Sequence, residues 1–198
     1  MQSKGDPMRF KSTLLAAMIL SSGSLFAQSR SSMSTKDMKI SVEPLAGFET
    51  LYRPYPTPHT VTRTMFGVRL TAGSDLISAE AEYTQGNDTE NFLTAPEKIE
   101  TKDNNYKLGI RSTYKITDWA FSSIRLGGHA TESTVTETNA GVPTTTKKPM
   151  EYHPYLGAHI GAKLGPISVS IGATAIIRDT ANISNNDVQH TLSVSLGR

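Results

Sequence analysis

The sequence predicts an all-β protein: an eight-stranded antiparallel up-and-down transmembrane β-barrel, preceded by a cleavable signal peptide. Three observations predict it. Apolar residues recur at every second position in eight segments, which is the period of a strand with two different faces. Tight turns alternate with long polar connections, as in a meander of strands. The N-terminus has the layout of an export signal.

The export signal begins with a basic stretch at Met8, continues with the apolar run Leu14–Leu20 and ends in small residues at Ala27. This order is that of a secretory signal peptide. We expect cleavage after Ala27, with Met8 as an alternative start. An N-terminal anchor helix is the other reading, but the apolar run is shorter than the ~20 residues that span a bilayer. The predicted divisions are a signal peptide over residues 1–27, a short segment over 28–37 and the barrel over 38–198.

The remaining chain is one domain by length and carries 17 basic and 17 acidic residues after residues 1–27 are removed. A net charge of zero gives no indication of nucleic-acid binding, which usually needs a basic excess. The chain has no cysteine, so neither disulfides nor thiolate metal sites contribute to it.

The eight periodic segments are joined by two kinds of connection. Tight turns lie at Ala72–Asp75, Thr117–Asp118 and Gly165–Pro166, whereas the other connections are longer and polar. Short turns at one end and long loops at the other are typical of outer-membrane barrels. The predicted strands lie near residues 38–53, 60–72, 75–85, 104–116, 119–135, 150–164, 167–179 and 187–197.

The two faces of these strands predict which side is inside. One face is apolar, as at Leu156, Ile160 and Ile171, and the opposite face mixes glycine and serine with single charges. Glycine weakens a solvated strand, but small residues and paired charges fit the narrow lumen of an eight-stranded barrel. We therefore predict that the apolar face contacts lipid. The predicted lumenal polar network consists of Glu49, Arg69, Glu80, Glu82, Lys107, Arg111, Arg125, His129 and His159.

Aromatic residues mark the strand ends. Tyr52, Tyr83, Tyr106 and Tyr152 share the apolar face and lie at the long-loop ends of their strands, and Trp119 lies beside a short turn at the opposite end. Rings that carry a polar atom concentrate where lipid meets water. These five residues predict an interfacial aromatic girdle.

The fifth segment departs from the pattern. Trp119 and Phe121 have the parity of Arg125, so apolar rings and a charge fall on one face. We expect a β-bulge near Ser122–Ser123, or a turn that lies lower, to restore the register.

This pattern resembles the small eight-stranded outer-membrane proteins of Gram-negative bacteria, of the OmpA transmembrane domain and OmpX type. The resemblance covers the chain after residue 27 without a subfamily motif. It implies an integral barrel with a lumen blocked by polar side chains, in contact with lipid and lipopolysaccharide and inserted by the outer-membrane assembly machinery. The chain ends in Leu196-Gly197-Arg198 rather than in the usual aromatic residue. We expect no peptidoglycan-anchoring domain after the last strand.

Catalysis and metal binding find no support in the sequence. Some such barrels modify lipid A, and a deacylase of this kind resembles a serine hydrolase with a His-x-Ser dyad, which none of the five histidines forms. His153 and His159 share a face but lie ~20 Å apart along a strand, too far to share an ion. For His129 and His159, which could meet across neighbouring strands, we expect a hydrogen-bonding role. We predict no catalytic residue, no metal and no cofactor.

Several functions stay open. The Thr-rich stretch from Thr131 to Thr146 leaves a strand edge that another chain could pair with, which predicts a structural or surface-interaction role with an unidentified extracellular partner. A soluble periplasmic or secreted lipocalin-like barrel that binds an apolar ligand is the alternative. A lipid A-modifying enzyme and a narrow ion channel rank below both.

Overall fold

The computed structural model describes residues 38–74, 76–94 and 96–196, without the side chain at position 196. The predicted signal peptide, the segment 28–37 and the last two residues lie outside the described residues. No helix within the described ranges is long and apolar enough to cross a membrane. The strands are β1 (Lys39–Arg53), β2 (His59–Gly73), β3 (Ser78–Asn91), β4 (Lys98–Lys115), β5 (Ala120–Asn139), β6 (Val142–Lys147), β7 (Glu151–Leu164), β8 (Ile167–Ile176) and β9 (Asp187–Leu196).

Eight of these nine strands form a closed antiparallel ring. Neighbours pair in the order β4, β3, β2, β1, β9, β8, β7, β5, and a further pairing of β4 with β5 closes the sheet. Closure removes the exposed edges that an open sheet would present. The predicted up-and-down barrel is confirmed.

The ninth strand, β6, is the outer part of the chain segment that β7 continues toward the membrane. β5 pairs with β6 over Thr134–Asn139 and with β7 over Ala120–Thr131. Between the two pairings the descending chain contains one residue more than β5, because Lys147 opposes Thr134 and Glu151 opposes Thr131. One extra residue is a β-bulge. β5 and β6 therefore form a hairpin beyond the ring.

The strands extend further outward than the sequence predicts. β3 reaches Asn91 and β4 begins at Lys98, whereas the segment from Gly86 to Asp103 was expected to be a loop. Apart from Ile99, these outer ends are polar on both faces, so they lack the apolar alternation that marks the rest of each strand. The expectation of a long loop here is wrong because backbone pairing between β3 and β4 continues without an apolar face.

Alternation along each strand separates the two environments. Leu156, Ile160, Ile171 and Leu192 point outward and are exposed. Their sequence neighbours point inward, and the buried set includes His159, Ser170 and Ser193. The apolar face is therefore outside, as predicted, and the interior is polar. A soluble barrel with an apolar interior does not fit this arrangement.

Candidate functional site in the barrel lumen

Seven charged side chains converge in the half of the lumen nearest the short turns. Glu82 lies at their centre, because its carboxylate is 2.8 Å from Arg69 Nε, 2.8 Å from Arg125 Nη1 and 2.5 Å from Lys107 Nζ. One carboxylate thus contacts three cations from three different strands. We call this set the short-turn layer: Glu43, Arg69, Glu80, Glu82, Lys107, Arg111 and Arg125.

The other two carboxylates of the short-turn layer bind the same arginines. Glu43 accepts hydrogen bonds from Arg69 Nη1 at 3.1 Å and from Arg111 Nη1 at 3.0 Å. Glu80 lies 2.7 Å from Arg125 Nη2 and accepts a hydrogen bond from the Tyr155 hydroxyl at 3.1 Å. The contacts therefore form one continuous network across β1 to β5, with Tyr155 joining it from β7.

The short-turn layer is removed from solvent. Each of its seven residues is at most 4% exposed. Charges at such depth persist when they are paired and hydrogen-bonded, and removal of one partner is strongly destabilising. The network therefore holds five strands together through their interior faces.

A second group of charges lies nearer the long loops. Arg63 is its centre, with nitrogens 2.7 Å from Glu49, 2.9 Å from Asp88 and 2.6 Å from Asp103. Gln189 of β9 donates to Glu49 at 2.5 Å. We call the seven charged members the long-loop layer: Glu49, Arg53, Arg63, Asp88, Asp103, Arg178 and Asp187.

The lumenal histidines do not meet. His129 lies opposite His153 across the β5–β7 ladder, whereas His159 lies opposite Ser123. The His129 ring lies 3.2 Å from the Asn105 side-chain oxygen and 3.2 Å from the Thr131 hydroxyl. Within the described residues no three histidine or carboxylate side chains are arranged to hold a metal ion.

Apolar side chains also enter the lumen, and the sequence analysis missed them. Phe121 is 1% exposed and shares the interior face with Arg125. β5 pairs without interruption with both β4 and β7 past Ser122 and Ser123. The predicted bulge there is wrong, because the register places the Phe121 ring inside near the short turns. Toward the long loops, Leu51, Ile99 and Val135 are likewise buried.

Glycines on the interior face lie where large side chains cross the lumen. A Cβ atom at Gly161 would overlap the Phe121 ring, and one at Gly172 would overlap the His159 ring. A Cβ atom at Gly86 would come within 2.8 Å of Arg63 Nε. These glycines on the polar face therefore leave space for large side chains of neighbouring strands.

The tyrosines selected from the sequence lie on the outside near the long loops. Tyr106 and Tyr152 both flank Ala130, and Tyr83 pairs with Tyr106. The rings of Tyr83 and Tyr106 have centroids 5.4 Å apart. Tyr52 is half-buried, and Trp119 is exposed just before β5, near the opposite end.

All nine residues of the predicted polar network are buried in the lumen, but they fall into separate groups. Most belong to the short-turn layer, Glu49 belongs to the long-loop layer, and the two histidines lie apart. Arg63 was missed although its parity matches that of Arg69. Asp88 and Asp103 were missed because they fall within the segment that was expected to be a loop.

An antiparallel ring of eight strands, apolar outside and charged inside, defines the class of the fold as a transmembrane β-barrel. No protein family model and no curated protein matches the sequence. Solved structures share the fold. Neisserial surface protein A (NspA) aligns with a TM-score of 0.55 at 7% identity, over 81% of this chain and 99% of that chain.

Two further structures give the same result. Ail, the attachment invasion locus protein of Yersinia pestis, aligns with a TM-score of 0.51 at 11% identity, over 80% of this chain and 96% of that chain. The N-terminal β-barrel domain of Pseudomonas aeruginosa OprF aligns with a TM-score of 0.51 at 11% identity, over 80% and 97%. The chain therefore has the fold of the small eight-stranded outer-membrane β-barrels.

Proposed function

We propose that the protein is an integral outer-membrane barrel with a closed lumen and a structural or surface-interaction role, and that it is not an enzyme. In this proposal residues 1–27 direct export, residues 28–37 form a short segment and residues 38–198 form the barrel. The lipid bilayer and lipopolysaccharide surround its apolar face, with Tyr52, Tyr83, Tyr106, Tyr152 and Trp119 at the interfaces. The outer-membrane assembly machinery inserts it.

The observation that carries the proposal is the set of buried, paired charges that project into the lumen. The short-turn and long-loop layers lie one above the other, and their side chains cross between strands. Phe121 lies toward the short turns, and Leu51, Ile99 and Val135 lie toward the long loops, all buried. An eight-stranded barrel has an interior just wide enough for side chains to fill. This arrangement supports a structural barrel over a diffusion pore.

The hairpin of β5 and β6 supplies the proposed contact surface. All six residues of β6 are exposed. Lys148 N donates to Ser133 O at 2.8 Å. Because such bonds alternate along an antiparallel ladder, the backbone groups of Pro143, Thr145 and Lys147 point away from β5. This edge can pair with an extended segment of an extracellular partner.

Two substitutions at Thr145 test the edge. Thr145→Pro removes an outward N–H without removing a backbone bond of the hairpin. Thr145→Val is the matched control, since both variants lose the 2.9 Å hydroxyl contact with Thr136. In an assay that detects binding of the wild-type protein to a surface, we expect Thr145→Pro to lose binding and Thr145→Val to keep it. Equal binding by both variants would contradict it.

Polyanion binding is not part of the proposal. Ail has been solved in complex with the heparin analogue sucrose octasulfate. In this chain the outer segments 53–63, 86–103, 131–151 and 177–188, without the members of the long-loop layer, carry seven acidic and four basic residues. A surface with an acidic excess repels a polyanion.

Fractionation of cells that express the full chain tests the proposal. We expect the protein to remain in the outer-membrane pellet after carbonate and urea washes, and to migrate differently on a gel before and after boiling. Release into the soluble periplasmic or secreted fraction, with a single heat-independent band, would overturn the membrane assignment.

A further inference from the structure

The two charged layers of the lumen are each unbalanced. The short-turn layer has four cations, Arg69, Lys107, Arg111 and Arg125, against three carboxylates. The long-loop layer has three cations against four carboxylates. The described charges of the two layers together sum to zero, whereas those of the short-turn layer alone sum to one positive charge, on residues that are at most 4% exposed.

The hydrogen-bonding groups of the short-turn layer show the same imbalance. Arg69 Nη2 and Arg125 Nε are buried donors with no hydrogen-bond partner among the described residues. The ring nitrogens of His159, which lies outside this layer, also have none there, and a neutral imidazole supplies one donor and one acceptor. Among the acceptors of this layer, Glu80 Oε2 alone is buried without a hydrogen-bond partner from the described residues. It lies 3.6 Å from Arg69 Nε. In the long-loop layer the corresponding atoms are mostly acceptors, such as Asp88 Oδ2 and Asp103 Oδ1. The short-turn layer therefore has more cations than carboxylates and also, among the described residues, more unpartnered donors than unpartnered acceptors.

The two arginine side chains lie close together. Arg69 and Arg125 both contact Glu82 Oε2 at 2.8 Å, and Arg69 and Arg111 both contact Glu43 Oε2, at 3.1 and 3.0 Å. Three guanidinium groups thus converge on two carboxylates. His159 projects into the same half of the barrel from β7 and is 4% exposed. The neighbouring wall of β8 and β9 carries small hydroxyl side chains on its inner face, including Ser170 and Ser193.

We propose that the short-turn layer binds one small monovalent anion of the halide class. Arg69 and Arg125 are its principal ligands, with His159 as a further donor. The anion balances the excess positive charge and accepts from donors that the protein leaves without partners, and both changes favour the folded barrel. The proposal rests on the closed, membrane-embedded barrel proposed above.

The test is the unfolding midpoint of the full-length protein, refolded in lipid in sodium chloride or in sodium gluconate at one ionic strength. Refolding in each salt lets the anion enter before the lumen closes. Constant ionic strength removes screening as a cause. A ligand that binds only the folded state raises the midpoint in a saturable way, and we expect a rise of about 5 °C in chloride. Equal midpoints would overturn the proposal.

Three variants test whether the chloride effect on the unfolding midpoint depends on the charge of the short-turn layer. Lys107→Met brings the short-turn layer to neutrality and should abolish the chloride effect, whereas Glu80→Gln raises its charge and should strengthen the effect. Asp88→Asn is the matched control, because it changes the net charge of the protein by the same amount as Glu80→Gln but in the long-loop layer. We expect its chloride effect to equal that of wild type.

A strengthening in Asp88→Asn equal to that in Glu80→Gln would show a response to overall charge and overturn the site. A full chloride effect in Lys107→Met would do the same. Bromide in place of chloride provides a direct readout, since anomalous scattering should place one ion beside Arg69 and Arg125. Heat-dependent migration of the same samples reports the barrel separately, so failure of the anion site is distinguishable from failure of the membrane assignment.

Discussion

The imidazole ring of His159 lies over Gly172, its direct partner on the neighbouring strand β8. A Cβ atom at Gly172 would overlap that ring, so the glycine and the histidine occupy the space together. The same relationship joins Phe121 to Gly161. Residue size on one strand of the lumen is thus matched to residue size on the next.

This match predicts the effect of filling the space. Gly172→Val should destabilise the barrel by about 1–3 kcal/mol, the usual cost of overpacking. With His159→Ala in the same chain the cost should be smaller than the sum of the two single costs, because the ring no longer occupies the site. Reversible unfolding in lipid measures all three variants. Additive costs would show that the two side chains do not share the space.

The second prediction concerns Arg125, which lies 2.7 Å from Glu80 and 2.8 Å from Glu82 and is fully buried. Arg125→Met should reduce the free energy of unfolding by about 3–5 kcal/mol, because it leaves buried carboxylates poorly compensated. Lys98→Met is the control, since the side chains of the Lys98–Glu100 pair are 41% and 48% exposed and solvent-exposed pairs contribute little. Similar costs for the two variants would refute the buried network.

The third prediction concerns depth in the membrane. Leu126 lies in the middle of the part of β5 that pairs with β7, with its side chain outward, and Ile116 lies outward beside a short turn. Leu126→Arg should cost about 2–4 kcal/mol and Ile116→Arg about 0–1 kcal/mol, since the penalty for a lipid-facing arginine falls toward the interface. Unfolding in lipid bilayers measures both. Equal tolerance would argue against this placement of the membrane.

The fourth prediction concerns the effect of pH on His59, a residue placed outside the membrane. His59 Nδ1 lies 2.6 Å from the Thr57 carbonyl oxygen, and Nε2 lies 2.5 Å from Glu90. The Thr57 carbonyl raises the pKa of His59, and Glu90 raises it further. A raised pKa in the folded state means that the contribution to stability is full below about pH 6.5, the ordinary value, and is lost as pH rises through the higher folded value.

Titration of His59 by NMR checks this prediction. The pKa of His59 should lie above that of a histidine in an unstructured peptide and should fall in Glu90→Gln, while Glu137→Gln, elsewhere on the outer surface, should leave it unchanged. An unchanged titration in Glu90→Gln would refute the assigned contact.

The sequence was sufficient for the ring of eight strands and for its orientation, because strict alternation of apolar and polar residues reports the two faces directly. It failed where that signal ends. The outer parts of β3, β4 and β5 carry mostly polar residues on both faces, so nothing in their composition separates strand from loop. Phe121 was misjudged because an apolar ring in a polar lumen is explained only by its neighbour Gly161, and that pairing depends on cross-strand register. Asp88 and Asp103, two of the three carboxylates that contact Arg63, were missed because they lie in the segment that was expected to be a loop.

Single-channel recording in planar bilayers tests the central claim most directly. The barrel interior holds two layers of paired charges between buried apolar side chains, so we expect the wild-type protein to give no large, steady current over a range of voltages. Correct insertion is checked in the same preparation by heat-dependent migration on a gel. Large, steady single-channel currents from the wild-type protein would contradict a closed lumen and would show that the barrel is a pore.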